Sequence, residues 1–171
     1  MKADFDACVR FVLDQEAGYV DHPADPGGAT NRGITLGTLS LWRGHEVTKD
    51  DVKNLAQDEA EEIYRARYWD ACHCGEIPGP VALVLFDTAV NSGSHRAAIF
   101  LQQAVGARPD GNIGHETIIL ARAHEPLTTA MEMIALRLDF LKGLPTWGIF
   151  GEGWTNRCLK LTAAVREMTS T

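Results

Sequence analysis

Residues 81–93, VALVLFDTAVNSG, are apolar almost all round. Pro78 and Pro80 break the chain just before this run, and Gly93 ends it. A helix with no polar face must be buried on every side. A strand buried on both faces would give the same pattern, but the length of the run and its alanines favour a helix. A helix buried all round needs a jacket of other elements. At 171 residues the chain has room for one domain with a real core.

The jacket reads as amphipathic helices. DFDACVRFVLDQE sets Phe5, Cys8, Val9, Val12 and Leu13 on one face. TLGTLSLW is a short helix capped by Thr35. TKDDVKNLAQDEAEEIYRARYW reads as one helix, opened by a capping box at Thr48 and Asp51. Val52, Leu55, Ala56, Glu59 and Ile63 follow at helical steps, with the acids of 58–62 as a solvated face. SHRAAIFLQQAVG ends at Gly106, a C-cap; RPDGNIG is a turn; HETIILARAH and PLTTAMEMIALRLDFLKG are helices; EGWTNRCLKLTAAVREM is the last. The expected fold class is mainly α, with a small β-hairpin at about 19–35.

That hairpin falls in EAGYVDHPADPGGATNRGIT, Glu16 to Thr35, a run with almost nothing to bury. Its prolines and glycines demand loop or hairpin. A flap here turns Asp25 and Thr30 back towards Glu16 at the end of the first helix. Gly27, Gly28 and Gly33 let the backbone turn sharply. Hydrolysis of a glycosidic bond needs such a set: an acid for the leaving oxygen and groups that place a water. The plainer alternative keeps Asp21 and Asp25 as turn residues and Thr30 and Thr35 as caps or strand residues. Calcium is a further alternative for the aspartates, without the spaced ligands of an EF-hand.

Composition narrows the field. No apolar run approaches the ~18 residues of a membrane span, so no membrane insertion is expected. MKADFDACVRFVLDQE lacks the apolar block of a signal peptide. Synthesis in a cytoplasm is expected, with release by some other agent. The net charge is −7, with 8 basic and 16 acidic residues in 1–91 and 8 and 7 in 92–171. Nucleic acid is excluded as a partner, since phosphate binding needs a concentrated basic surface. Cys8, Cys72, Cys74 and Cys158 are too few for a disulfide scaffold. CHCG at 72–75 has no second ligand pair, so free thiols are favoured over a metal site.

The ordered motifs EAGYVDHPADPGGATNRGIT, YRARYWD, VALVLFDTAVNSG, LQQAVGARPDGNIGHET and GEGWTNR resemble glycoside hydrolase family 108, the N-acetylmuramidases of phage endolysins and bacterial lysins. The likeness covers nearly the whole chain. It implies a lysozyme-like α fold, with residues 1–93 as the catalytic segment. Residues 94–171 resemble a helical peptidoglycan-binding segment, packed with the first as one compact unit. It implies Glu16 as catalytic acid, and Asp25 and Thr30 as the residues that place the water, with Thr35 the rival of Thr30. It implies peptidoglycan glycan strands as substrate, no cofactor, a monomer, and action on the cell wall in the periplasm after release, by a holin if the source is a phage. One position departs: the glycine that follows the family's glutamate is Ala17 here. Alanine there extends the helix by a residue, or is strained if φ must be positive.

Other residues suit a sugar site. Tyr19 and Trp147 offer stacking faces, as do Tyr68, Trp69 and Trp154, though aromatics also fill cores. Asn91 suits an N-acetyl group or a helix C-cap. Asp87, four residues before it, demands a partner if buried, Arg32 being one candidate. Rival functions are a non-catalytic wall-binding or secretion-assisting protein, and a zinc peptidase using Cys72, His73 and Cys74.

Overall fold

The computed structural model describes residues 3–16, 18–21 and 28–170. In chain order these form α1 (Phe5–Gln15), β1 (Thr30–Asn31), β2 (Ile34–Thr35), α2 (Leu36–Arg43), α3 (Lys49–Lys53) and α4 (Gln57–Tyr64). A π-helical turn at Arg65–Asp70 and a 3-10 turn at Cys74–Glu76 follow. Then come α5 (Gly79–Ser92), α6 (Ser94–Ala104), α7 (His115–Ala123), α8 (Pro126–Lys142) and α9 (Trp147–Thr169). The fold is mainly α with one two-stranded antiparallel sheet among the described residues. The chain divides into two compact units: one runs from Val9 to Arg67, and the other joins the first stretch, through Cys8, to the stretch from Tyr68 onward.

In the larger unit α5 is the buried axis that its composition predicts. Every residue from Gly79 to Ala89 is buried, and α6, α8 and α9 pack against it. Phe5, Trp69 and Phe86 form an aromatic cluster with centroids 5.4–5.9 Å apart. Asp87, on the buried axis, is fully enclosed. Its partners are Arg137 Nη1, which donates to Oδ2 at 2.5 Å, and Arg157, whose Nη2 donates to Oδ1 at 2.9 Å. Arg32 is therefore not its partner. A buried carboxylate needs such compensation, and both arginines come from helices remote in sequence.

The smaller unit buries Val9, Val12, Ile34, Leu39, Val52, Leu55, Ala60, Ile63 and Tyr64. Here one expected helix, at 48–69, is three elements. Its capping box is present: Thr48 and Asp51 each accept from the other's backbone N–H. The helix then stops at Lys53 because the buried Asn31 amide donates to the carbonyls of Val52 and Lys53, both at 3.0 Å. Those are acceptors that a continuing helix would need for its next turn. The acidic face is also less idle than expected. Arg43 binds Glu59 through two bonds of 2.8 and 2.9 Å, and Asp51 at 3.3 Å. These bonds from Arg43 hold the Glu59 carboxyl below its ordinary range.

The last helix begins at Trp147, not Glu152. Gly148, Gly151 and Gly153 disfavour helix locally. Trp147, Phe150 and Trp154 offset that cost by stacking, with Trp154 centred 6.2 Å from Trp147 and 5.7 Å from Phe150.

Candidate active site

The site is built at the end of α1. The Glu16 N–H still bonds to the Leu13 carbonyl at 3.1 Å, so the side chain leaves from the helix terminus, half-buried. Ala17 and residues 22–27 lie outside the described residues, and with them Asp25 and Gly27. The chain returns as a hairpin. Thr30 pairs with Thr35 and Asn31 with Ile34. Val20 and Thr30 exchange two backbone bonds of 2.8 Å, so the segment carrying Tyr19 is joined to the hairpin.

The turn between the strands is Arg32–Gly33, with φ of 51° and 74°. Two positive φ values define a type I′ turn, whose twist matches its strands. Gly33 is forced twice. Its backbone is left-handed, and its Cα faces the acid closely. A Cβ there would stand 3.0 Å from Glu16 Oε2 and 3.2 Å from Cδ, and would overlap Tyr64 Oη. Glu16 thus lies against the tip of the hairpin at Gly33; of the two residues that the flap reading turns towards it, Asp25 lies outside the described residues. Tyr64 is buried in α4 and donates its hydroxyl hydrogen to the Arg32 carbonyl at 2.9 Å. Sequence reasoning missed Tyr64: no spacing rule links a tyrosine at 64 to a turn at 32.

The two threonines differ in what they do. Thr35 Oγ1 is the N-cap of α2, accepting from Thr38 N at 3.2 Å and bonded to Thr38 Oγ1 at 3.0 Å. Thr30 lies in β1, directly opposite Thr35, and is partly exposed. Tyr19 is 37 % exposed.

Asn91 and Trp147 belong to the larger unit. Asn91 is exposed, and its Oδ1 accepts from Arg137 Nη2 at 3.1 Å. Its acceptor is engaged with the charge network below it. The Trp147 ring packs on Gly151, where a Cβ would stand 2.7 Å from two ring carbons. The same unit contains a cavity of about 380 Å³ lined by Cys72, His73, Ser94, His95 and Asn112, among others. Cys72 is buried there with its thiol pushed up by desolvation, and Ser94 hydrogen-bonds to it. Cys74 is fully enclosed and raised well above the usual thiol range by the same cause. No group of three or more His, Cys, Asp or Glu among the described residues is arranged to hold a metal.

The Glu16 carboxyl at the end of a helix thus faces a hairpin turn on a mainly helical, lysozyme-like scaffold. Residues 9–93 match the model of the glycosyl hydrolase 108 family. The fold is similar to the solved structure of Brucella abortus SagA, with a TM-score of 0.86 and 42 % identity, covering 95 % of this chain and 94 % of that one. No curated protein is significantly similar. The chain belongs to the glycosyl hydrolase 108 family. It is a glycoside hydrolase of the kind that acts on peptidoglycan. No helix among the described residues is long and apolar enough to cross a membrane.

Proposed function

We propose that the chain is an N-acetylmuramidase of the endolysin type, cutting the β-1,4 bond between N-acetylmuramic acid and N-acetylglucosamine. Glu16 donates its proton to the leaving oxygen. Asp25 and Thr30 place the water that attacks the anomeric carbon, and the product is inverted. The catalytic segment is 1–93, and 94–171 binds the wall. The observation that carries this reading is the Glu16 carboxylate at the end of α1, wedged against Gly33 of the hairpin. Thr30 is preferred to Thr35 for the water because the Thr35 hydroxyl is committed to capping α2. An acid held by a turn rather than by a flexible loop suits a group whose proton must meet one oxygen.

The test is to incubate purified peptidoglycan with wild type and Glu16→Gln. New reducing ends should form with wild type, the new end being muramic acid. The variant should be slower by about 10²- to 10⁴-fold, the usual range for a positioned acid. A reducing N-acetylglucosamine end would refute the muramidase assignment. Full activity in the variant would refute the role of Glu16. Free amines with intact glycan would mark a peptidase, and no product at all a wall-binding protein.

A further inference from the structure

The turn that carries Gly33 is not one that its sequence favours. Type I′ turns prefer Asn, Asp or Gly at the first central position, because both residues need positive φ. Here that position is Arg32, one of two non-glycine residues with positive φ among those described. A side chain with a Cβ pays for the left-handed region in steric strain. A second cost sits beside the first: Arg32 Nε is buried and has no hydrogen-bond partner among the described residues. Strain of this kind persists only where neighbouring structure over-determines it.

The determining contact is Tyr64. It is 1 % exposed and donates to the carbonyl of the strained residue itself, at 2.9 Å. The same hydroxyl oxygen crowds the point where a Gly33 side chain would start, and Glu16 Oε2 crowds that point from 3.0 Å. The buried hydroxyl and the acid therefore crowd the same point beside Gly33, where its Cβ would stand. If the turn relaxes, the wall against Glu16 goes with it.

We propose that Tyr64 is a positioning residue for the glycosidase reaction: its hydroxyl clamps the Arg32–Gly33 turn, and the clamped turn fixes the Glu16 carboxyl. This rests on Glu16 being the acid. It assigns to α4, which carries no proposed catalytic group, a role in the orientation of the proton donor. Because Tyr64 acts through the turn, its loss should slow the chemical step and leave substrate binding alone.

The experiment uses the full chain and soluble peptidoglycan glycan strands, with kcat and KM measured for wild type, Tyr64→Phe, Tyr64→Phe/Arg32→Asn and Glu16→Gln. Phenylalanine keeps the ring in the core and removes only the hydroxyl. Tyr64→Phe should lower kcat by about tenfold or more while KM stays within about twofold, since a small misplacement of a catalytic group costs one to two orders of magnitude. Asparagine at 32 tolerates positive φ and restores the favoured Asn-Gly turn. The double variant should therefore regain at least about half of the lost logarithm of kcat. It also supplies the folded comparison if Tyr64→Phe alone is poorly stable.

Wild-type kcat in Tyr64→Phe overturns the proposal. A rise in KM that accounts for the loss overturns it too, because the hydroxyl would then be touching substrate. A loss of kcat that Arg32→Asn does not restore rules out the route through the turn. Glu16→Gln separates the two levels: if it is fully active, the assignment of the acid fails, whereas an inactive Glu16→Gln beside a normal Tyr64→Phe defeats the clamp alone.

Discussion

Gly33→Ala tests whether the hairpin tip holds the acid. Two costs are separable. The backbone at Gly33 has φ of +74°, and a side chain in that region costs about 1–2 kcal/mol. The added Cβ also meets Glu16 Oε2 at 3.0 Å and overlaps the buried Tyr64 hydroxyl. Neither neighbour is the free end of a surface chain, and overpacking of this kind costs about 1–3 kcal/mol. The total is about 3 kcal/mol, or about 6–12 °C in Tm for a chain of this size. Gly44 supplies the control. It has φ of +72° in the same unit, but nothing among the described residues lies within 4 Å of its Cβ position. Gly44→Ala should therefore pay the backbone cost alone, about 1–2 kcal/mol. The assay is thermal or urea unfolding of both variants, with glycan hydrolysis measured on the folded protein. Gly33→Ala should be the less stable by about 1–3 kcal/mol and should lose most of its kcat, while Gly44→Ala keeps its activity. Equal destabilisation by the two, with wild-type kcat in Gly33→Ala, would refute the wedge.

Two further outcomes follow from the charge networks. Arg137→Met leaves the enclosed Asp87 with Arg157 as its remaining cationic partner. It should cost about 3 kcal/mol in urea unfolding, at the lower end for a broken buried pair; a loss under about 1 kcal/mol would contradict the burial argument. Glu59 is held below its ordinary range by Arg43, so its contribution is present above the unfolded carboxylate pKa of about 4.3. That stability is lost as pH falls through the depressed folded value. Glu59→Gln should lower Tm at pH 7 and converge on wild type in strong acid, and a gap that widens on acidification would reverse the sign.

The sequence by itself determined most of the helices and their class. A run as apolar as 81–93 can only be buried, and periodicity of apolar residues, Pro78, Gly93 and Gly106 placed the boundaries around it. Thr48 with Asp51, and Thr35, announced their caps because capping is local chemistry between residues three apart. The hairpin after Glu16 was legible too, because a stretch so poor in apolar residues and rich in Gly and Pro must be loop or turn; composition alone left Glu16 one candidate among several, and only the ordered motifs singled it out. What only tertiary structure decided were interactions between residues far apart in the chain. The break after Lys53 comes from the Asn31 amide taking helix acceptors. The partners of Asp87 come from α8 and α9. The clamp on the turn comes from Tyr64 across 32 residues. Local propensity cannot carry such information, because each contact is set by where two separately formed elements come to rest.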